Sequence, residues 1–390
     1  MPRTISGNPV GVETPLVGIV AKEHAPIHHR GNYIYVGPTS NAKSGYAGYI
    51  TTDEKDLPIV IGRTRPRIVL VNPSDLAVLN HGDVLLVRED GSMIVVWARG
   101  ENSNALFMTA ACNLRCVMCP QPPEKHSNHQ AETNKTILGL LDKDITDICL
   151  TGGEPTLFKD EFLEILAICN QRFPTVPLTI LSNGIRLGDL ETAKAIARVR
   201  NKLIKFCVPL YSDIDDIHDM ITGTKNSFYQ TIRGIQNLAL LKVPTEIRYV
   251  ITRMNFGRLS NFADFVYRNL PFVVHVAYMG CEMTGLAREN ADRVWVDPAE
   301  YSVGLSDAVR LLEKRGVHVS VYNHQLCILS GAAKRNARQS ISEWKNIYLP
   351  MCAGCRLKHA CGGFFETSGN YVSRSISPIY DGGIPGNITV

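Results

Sequence analysis

Between residues 104 and 280 the chain alternates short, continuous apolar runs with longer stretches in which apolar residues recur every three or four positions. The runs are "ALFMTA", "DICLTGG", "LTILSNG", "LIKFCVPL", "TEIRYVIT" and "FVVHVAYMG". Their length and continuity predict strands of a parallel sheet covered on both faces. Between them, Phe162, Ile165, Leu166 and Cys169 fall at i, i+3, i+4 and i+7, and Phe228, Ile232, Ile235 and Leu238 follow at steps of four, three and three. Stripes of that spacing predict amphipathic helices. Six strand–helix repeats predict an α/β fold, a partial (β/α)6 barrel of the TIM type. In such a fold, chemistry belongs to the loops at the C-terminal ends of the strands.

The flanks have a different texture. Residues 1–100 are β-rich, with "NYIYVG", "PIVIG" and "RIVLV" followed by "VLLVREDGSMIVVWA", a hairpin turning at Asp90-Gly91. Residues 282–297 read as a linker, and "YSVGLSDAVRLLEKRGVHVSVY" predicts a helix, a stop at Gly316 and a strand. The tail from 366 is rich in Gly, Ser and Pro and is expected to be mobile unless it packs on a neighbour. The expected division is therefore 1–100 as a β-rich domain, 101–285 as the barrel, and 286–390 as a C-terminal extension. Strand edges in the first domain suggest a place where a leader peptide could pair.

Composition narrows the function classes. Across 390 residues, Lys plus Arg is 41 and Asp plus Glu is 37, a net charge of +4. So small an excess implies no broad surface for nucleic acid or membrane. The N-terminal segment lacks a basic start followed by an apolar core, and no run approaches the roughly 18 apolar residues of a membrane span. A cytoplasmic protein is the expectation. There, 11 cysteines should be reduced thiols or metal ligands rather than disulfides.

Three of them, Cys112, Cys116 and Cys119, crowd into "TAACNLRCVMCPQPP" directly after the first strand of the repeat. Structural zinc takes a closed set of four ligands, so a lone triplet leaves it one short. An iron–sulfur cubane held by three thiolates keeps one iron open for a substrate or cofactor. The second strand ends in "TGGEP", Thr151 to Pro155. There Gly152 and Gly153 permit close backbone approach, and Glu154 can accept from an ammonium group.

Together the two motifs resemble the radical S-adenosylmethionine (SAM) superfamily, including the apolar Met118 before the last cysteine. The resemblance implies a [4Fe–4S] cluster on Cys112, Cys116 and Cys119 whose open iron chelates SAM, with Gly152, Gly153, Glu154 and Pro155 around the methionine amino group. It further implies reductive cleavage to a 5′-deoxyadenosyl radical. Ser182 and Asn183 of "LSNG" sit where many relatives contact the ribose, and Arg248 where many bind the methionine carboxylate; a barrel ion pair is the other reading of Arg248. One departure is "VPLYSD", which puts Pro209 where relatives often carry the serine of Ser-Leu-Asp-Gly, so the contacts made there are not carried over.

A second set, Cys327 with Cys352-x2-Cys355-x5-Cys361, resembles SPASM and twitch extensions that carry auxiliary clusters. Phe365 stands where the full SPASM pattern continues with cysteine, which implies the shorter version with one auxiliary [4Fe–4S] cluster. Four thiolates also satisfy zinc, which stays open as the alternative. Cys149, Cys169 and Cys207 lie in apolar patterns and read as buried small hydrophobes; Cys281 follows the last barrel strand and could face a cavity. His28, His29, His126 and His129 read as solvated loop positions.

The phrases "VYNHQLCIL", "EWKNIYLPMCAGCRLKHACGGFF" and "SRSISPI" resemble His-Xaa-Ser system radical SAM maturases of the HxsC type. That implies a substrate peptide, a sister radical SAM maturase and a reductant protein such as flavodoxin or ferredoxin as partners. Radical chemistry on a small molecule such as a nucleotide, as in molybdopterin synthesis, is the alternative, and a scaffold that keeps the fold without catalysis is a third reading.

Overall fold

The computed structural model describes residues 3–38, 43–53, 67–101, 103–124, 130–340, 342 and 345–380. The expected strand "PIVIG" and His126 and His129 lie outside them. The chain divides into two compact units. One comprises residues 1–108, 129–150 and 167–176, and the other residues 109–128, 151–166 and 177–390. The β-rich part thus extends to 108, and parts of the βα repeat group with it.

In the first unit, strands β1 (Thr4–Ser6), β2 (Asn8–Val10), β3 (Leu16–Ala21), β4 (Tyr33–Val36), β5 (Gly48–Thr51), β6 (Ile68–Leu70), β7 (Val84–Val87) and β8 (Ser92–Trp97) form one sheet in the order β1-β8-β7-β3-β4-β5-β6-β2. Its two end strands are consecutive pieces of chain hinged at Gly7, whose N–H donates to the Gly91 carbonyl at 3.0 Å. The sheet therefore closes on itself. In this order β1 pairs with β8 and β2 with β6, so one short stretch of chain meets both ends of the sheet. The β7–β8 hairpin turns where expected, with Gly91 at φ 80° and the Asp90 carboxylate accepting from the Ser92 N–H at 2.8 Å. Val20, Ile50, Leu79, Leu85 and Met93 fill the bore, each fully buried and each contributing about 1.5–3 kcal/mol by leaving water.

The strand–helix repeat follows as β9 (Ala105–Phe107), α1 (Ala131–Leu140), β10 (Ile148–Thr151), α2 (Lys159–Arg172), β11 (Leu178–Leu181), α3 (Leu190–Val199), β12 (Ile204–Pro209), α4 (Asp215–Thr222), α5 (Ser227–Leu240), β13 (Thr245–Ile251), α6 (Leu259–Asn269) and β14 (His275–Gly280). All six expected strands are present, and the fold is α/β. In the second unit β11, β12, β13 and β14 pair in parallel in sequence order. The parallel ladder then continues through β15 (Val319–Tyr322) and β16 (Ala337–Arg338) of the C-terminal extension. Phe162, Ile165, Leu166 and Cys169 are buried as their spacing predicts.

One face of this sheet is apolar. Tyr249 packs on Phe262 of α6 with ring centroids 4.4 Å apart and on Tyr278 at 5.6 Å. The other face carries Lys205, Glu246, Arg248, His275 and Ser320, which the pairing register sets side by side. Glu246 accepts from Lys205 Nζ at 2.7 Å and Arg248 Nε at 2.9 Å, and meets His275 Nδ1 at 3.1 Å. His275 Nε2 lies 2.9 Å from Ser320 Oγ. Although burial alone would raise it, the Glu246 carboxyl is held well below the usual range by His275, Arg248 and Lys205.

The expected linker is folded. Two single-turn helices, α7 (Leu286–Glu289) and α8 (Ala291–Val294), bury Met283, Ala287 and Val294 against Met118, Tyr211 and Ile221. Their sequence is short and charge-rich, so no local periodicity announces them; tertiary burial makes them helical. Next, α9 (Pro298–Lys314) starts with a capping box of Asp297 and Glu300, worth about 1 kcal/mol. Gly316 at φ 75° ends it as expected, and α10 (Gly331–Arg335) precedes β16. The tail packs as far as residue 380: Arg356 N–H donates to the Ile379 carbonyl at 2.8 Å and Tyr380 Oη to the Met351 carbonyl at 2.9 Å. Among the described residues no helix is long and apolar enough to cross a membrane.

Candidate functional site

The loop after β9 is held on both sides. Arg115 and Val117 N–H groups donate to the Thr222 and Ile221 carbonyls at the end of α4, at 3.0 and 2.9 Å. From the α7–α8 segment, Leu286 N–H reaches the Cys119 carbonyl at 3.0 Å and Asn290 Nδ2 the Val117 carbonyl at 3.1 Å. A third anchor is the end of β10, where Gly153 N–H donates to the Thr109 carbonyl at 2.7 Å and Glu154 N–H to the Ala111 carbonyl at 2.9 Å. A Cβ on residue 153 would overlap the carbonyls of Ala111 and Ala110, so close approach dictates glycine there. Gly152 at φ 153° occupies backbone space that favours glycine.

This frame brings the three predicted thiols together, close enough to repel one another as anions. Burial pushes Cys112 up to about 11 and Cys116 up to about 12, with neighbouring thiols adding to the rise, and it raises Cys119 as well. Free in this setting they are neutral, poor nucleophiles; binding a cation or cluster is what would hold them as thiolates. Cys112 Sγ already accepts from Leu114 N–H at 3.4 Å and from Asn183 Nδ2 at 3.8 Å. The buried Tyr211 hydroxyl bonds Cys116. Met118 faces the apolar cluster beneath the loop.

Glu154 is completely buried. Its Oε1 accepts from Thr156 N–H at 3.0 Å, from the Thr156 hydroxyl, and from Ser182 Oγ at 2.8 Å; Oε2 accepts from Asn183 N–H at 2.6 Å. Burial raises its pKa and these four donors pull it back. Among the described residues no cationic side chain pairs with it. Asn183 Nδ2 also donates to Asn113 Oδ1 at 2.8 Å, so Ser182 and Asn183 tie the end of β11 to the acid and to the cysteine loop. Pro155 opens the short turn of helix after Glu154. Arg248 sits in the Glu246 ion-pair network.

Spacing alone missed Tyr211, Asn113 and the Lys205–Glu246–His275 chain. Tyr211 could have been noticed because it stands directly after "VPL", at a strand end. His218 was invisible: its Nδ1 accepts from Tyr211 N–H at 3.2 Å, its ring stacks on Tyr211, and its buried Nε2 has no partner among the described residues.

The second cysteine set also converges. Burial raises Cys327 and Cys352, and each is within electrostatic reach of Cys355 and Cys361. Cys361 Sγ accepts from Leu326 and Gly363 N–H at 3.4 and 3.5 Å, and Cys355 Sγ from Ile379 N–H at 3.3 Å. Backbone N–H donors around clustered sulfurs suit thiolate ligands of a metal centre. Among the described residues no three His, Cys, Asp or Glu side chains are drawn in closely enough to hold a single metal ion. Cys169 and Cys207 are buried and Cys149 is half-buried in its strand, while Cys281 borders a small cavity of about 50 Å³ with Tyr301 and Phe365. His28 and His29 are exposed.

Residues 106–266 match the family model described as the radical SAM superfamily. The sporulation killing factor maturation protein SkfB of Bacillus subtilis is 27% identical over 165 residues, 42% of this chain and 38% of that protein. A probable GTP 3′,8-cyclase of Saccharolobus islandicus is 27% identical over 163 residues, 41% of this chain and 51% of its own length. The chain thus spans about two fifths to half of the curated relatives it matches. Among solved structures, Streptococcus suis SuiB bound to S-adenosylmethionine is 18% identical with a TM-score of 0.48, covering 65% of this chain and 55% of that one.

Proposed function

We propose that this chain is a radical SAM peptide maturase acting on a ribosomally made peptide of the His-Xaa-Ser type. The observation that carries the reading is Glu154: a carboxylate sealed from water, held by four donors and lacking a cationic side-chain partner, beside three converging thiols. Burial still raises its pKa despite those donors, so a positive group placed against it would favour the charged carboxylate. Oε2, with a single donor, is the oxygen with room for an ammonium group.

Cys112, Cys116 and Cys119 would hold the [4Fe–4S] cluster and Glu154 the amino group of SAM. When bound, that pair supplies a 5′-deoxyadenosyl radical able to take a hydrogen atom from the peptide. Ser182 and Asn183 fix the Glu154 carboxylate, while Gly152 and Gly153 bring it against the loop. Tyr211 donates to Cys116 and seals the underside with Met118. Cys327, Cys352, Cys355 and Cys361 would hold an auxiliary [4Fe–4S] cluster. The SkfB likeness favours maturation, and the cyclase likeness keeps nucleotide chemistry as the second reading.

The test is to incubate the anaerobically reconstituted full chain with SAM, dithionite and either a His-Xaa-Ser repeat peptide encoded beside it or GTP. A peptide mass change that requires SAM and reductant is expected. Conversion of GTP with the peptide unchanged would replace this reading by the second one.

A further inference from the structure

The first unit contains a cavity of about 240 Å³ lined by no cysteine. One wall is the barrel, with Ile19, Val84 and Trp97; the other is the end of α1 and the loop leading to β10, with Leu140 and Ile145. The same lining carries Glu101, Asp142, Asp144 and Asp147, against His81 and a single guanidinium, Arg99. Arg99 lies 3.7 Å from Asp142, and Glu101 is met by Arg3 at 3.3 Å. Asp144 and Asp147 have no cationic partner among the described residues. Asp147 is half-buried, accepts among the described residues only from the Thr146 hydroxyl at 3.2 Å, and burial lifts its pKa.

Three features define what fits. The volume falls below the roughly 300–1,000 Å³ of a small-molecule site, so it suits one or two side chains of something larger. The lining carries more carboxylates than cations on a chain whose net charge is +4, which favours a cation and repels nucleotide phosphates. A cavity lined by both apolar residues and carboxylates matches Lys and Arg, whose aliphatic stems pack on the first while their heads meet the second.

We propose that this groove docks a basic segment of a peptide, seating a Lys or Arg stem against Trp97 and Ile145 with its charge on Asp144 and Asp147. The peptide as natural owner rests on the maturase reading; the cation site does not, since binding needs neither cluster nor SAM. Fluorescein-labelled hexalysine is titrated into the full chain by anisotropy at low salt, with hexaglutamate and spermine in parallel. Saturable hexalysine binding is expected, abolished near 1 M salt where screening shortens to about 3 Å and with no binding of hexaglutamate. Asp144→Asn with Asp147→Asn should weaken it at least about fivefold. Arg99→Glu should tighten it, a gain that misfolding cannot mimic. Unchanged affinity in both variants would overturn the site, and spermine binding as tightly as hexalysine would overturn the peptide as its occupant. Catalysis failing while this binding survives would count against the maturase reading alone.

Discussion

Gly153→Ala is a one-carbon change that the structure makes expensive. The new Cβ would land on the Ala111 carbonyl, with the Ala110 carbonyl behind it, and neither can swing aside as a side chain would. Relief requires residues 109–112 to retreat from the end of β10. That stretches Gly153 N–H to Thr109 (2.7 Å) and Glu154 N–H to Ala111 (2.9 Å). Two hydrogen bonds at about 1 kcal/mol each and overpacking of about 1–3 kcal/mol outweigh the roughly 0.4–1 kcal/mol that Gly→Ala gains through the unfolded chain. A net loss of about 2–4 kcal/mol is expected, concentrated at the cysteine loop. Gly304→Ala is the control: it lies inside α9 with nothing within 4 Å of the added carbon, and should stabilise by about 0.5–1 kcal/mol. Urea unfolding of both variants, with iron content after anaerobic reconstitution, gives the comparison. A Gly153→Ala protein with wild-type midpoint and full iron would refute the packing argument.

Other expectations follow from the same geometry. Among the described residues the buried Tyr278 hydroxyl has no hydrogen-bond partner, so Tyr278→Phe should stabilise by about 1 kcal/mol in urea melts; a clear loss would mean that the hydroxyl is satisfied. Burial holds His218 and His324 down to about 4, from an ordinary 6.5. The unfolded chain therefore protonates first, and stability present above about pH 6.5 drains away towards pH 4, by at most about 3 kcal/mol per ring. His218→Asn should flatten that slope, and a flat wild-type profile over this window would contradict it. Reconstitution should load about eight irons per chain as two four-iron clusters. Cys355→Ser with Cys361→Ser should lower this to about four, whereas four irons with one zinc in the wild type would exclude the second cluster.

The strands and the helix stripes were legible because burial imposes a period that local sequence must obey. The hairpin was legible because Asp90-Gly91 supplies its turn chemistry. The way the sheet's ends meet was not: it depends on β2 pairing with β6 while β1 pairs with β8, with Asn8 opposite Leu70, partners 62 positions apart that leave no periodic trace. Nor were α7 and α8, whose helicity comes from Met118 and Tyr211 beneath them rather than from their own composition. At the site, cysteine spacing and the glycine pair announced themselves. The polar face of β12–β15 was hidden because Lys205, Glu246 and His275 look like interruptions of apolar strands until the register aligns them. Tyr211 and His218 act through space, and only the fold brings them to the loop.

The most direct measurement is the release of 5′-deoxyadenosine, followed by liquid chromatography, when the anaerobically reconstituted chain meets SAM and dithionite. A radical SAM site on Cys112, Cys116, Cys119 and Glu154 predicts reductant-dependent release that disappears in Cys116→Ala and falls sharply in Glu154→Gln while both proteins remain folded. No release from the wild-type chain, even with the peptide and the sister maturase present, would contradict it.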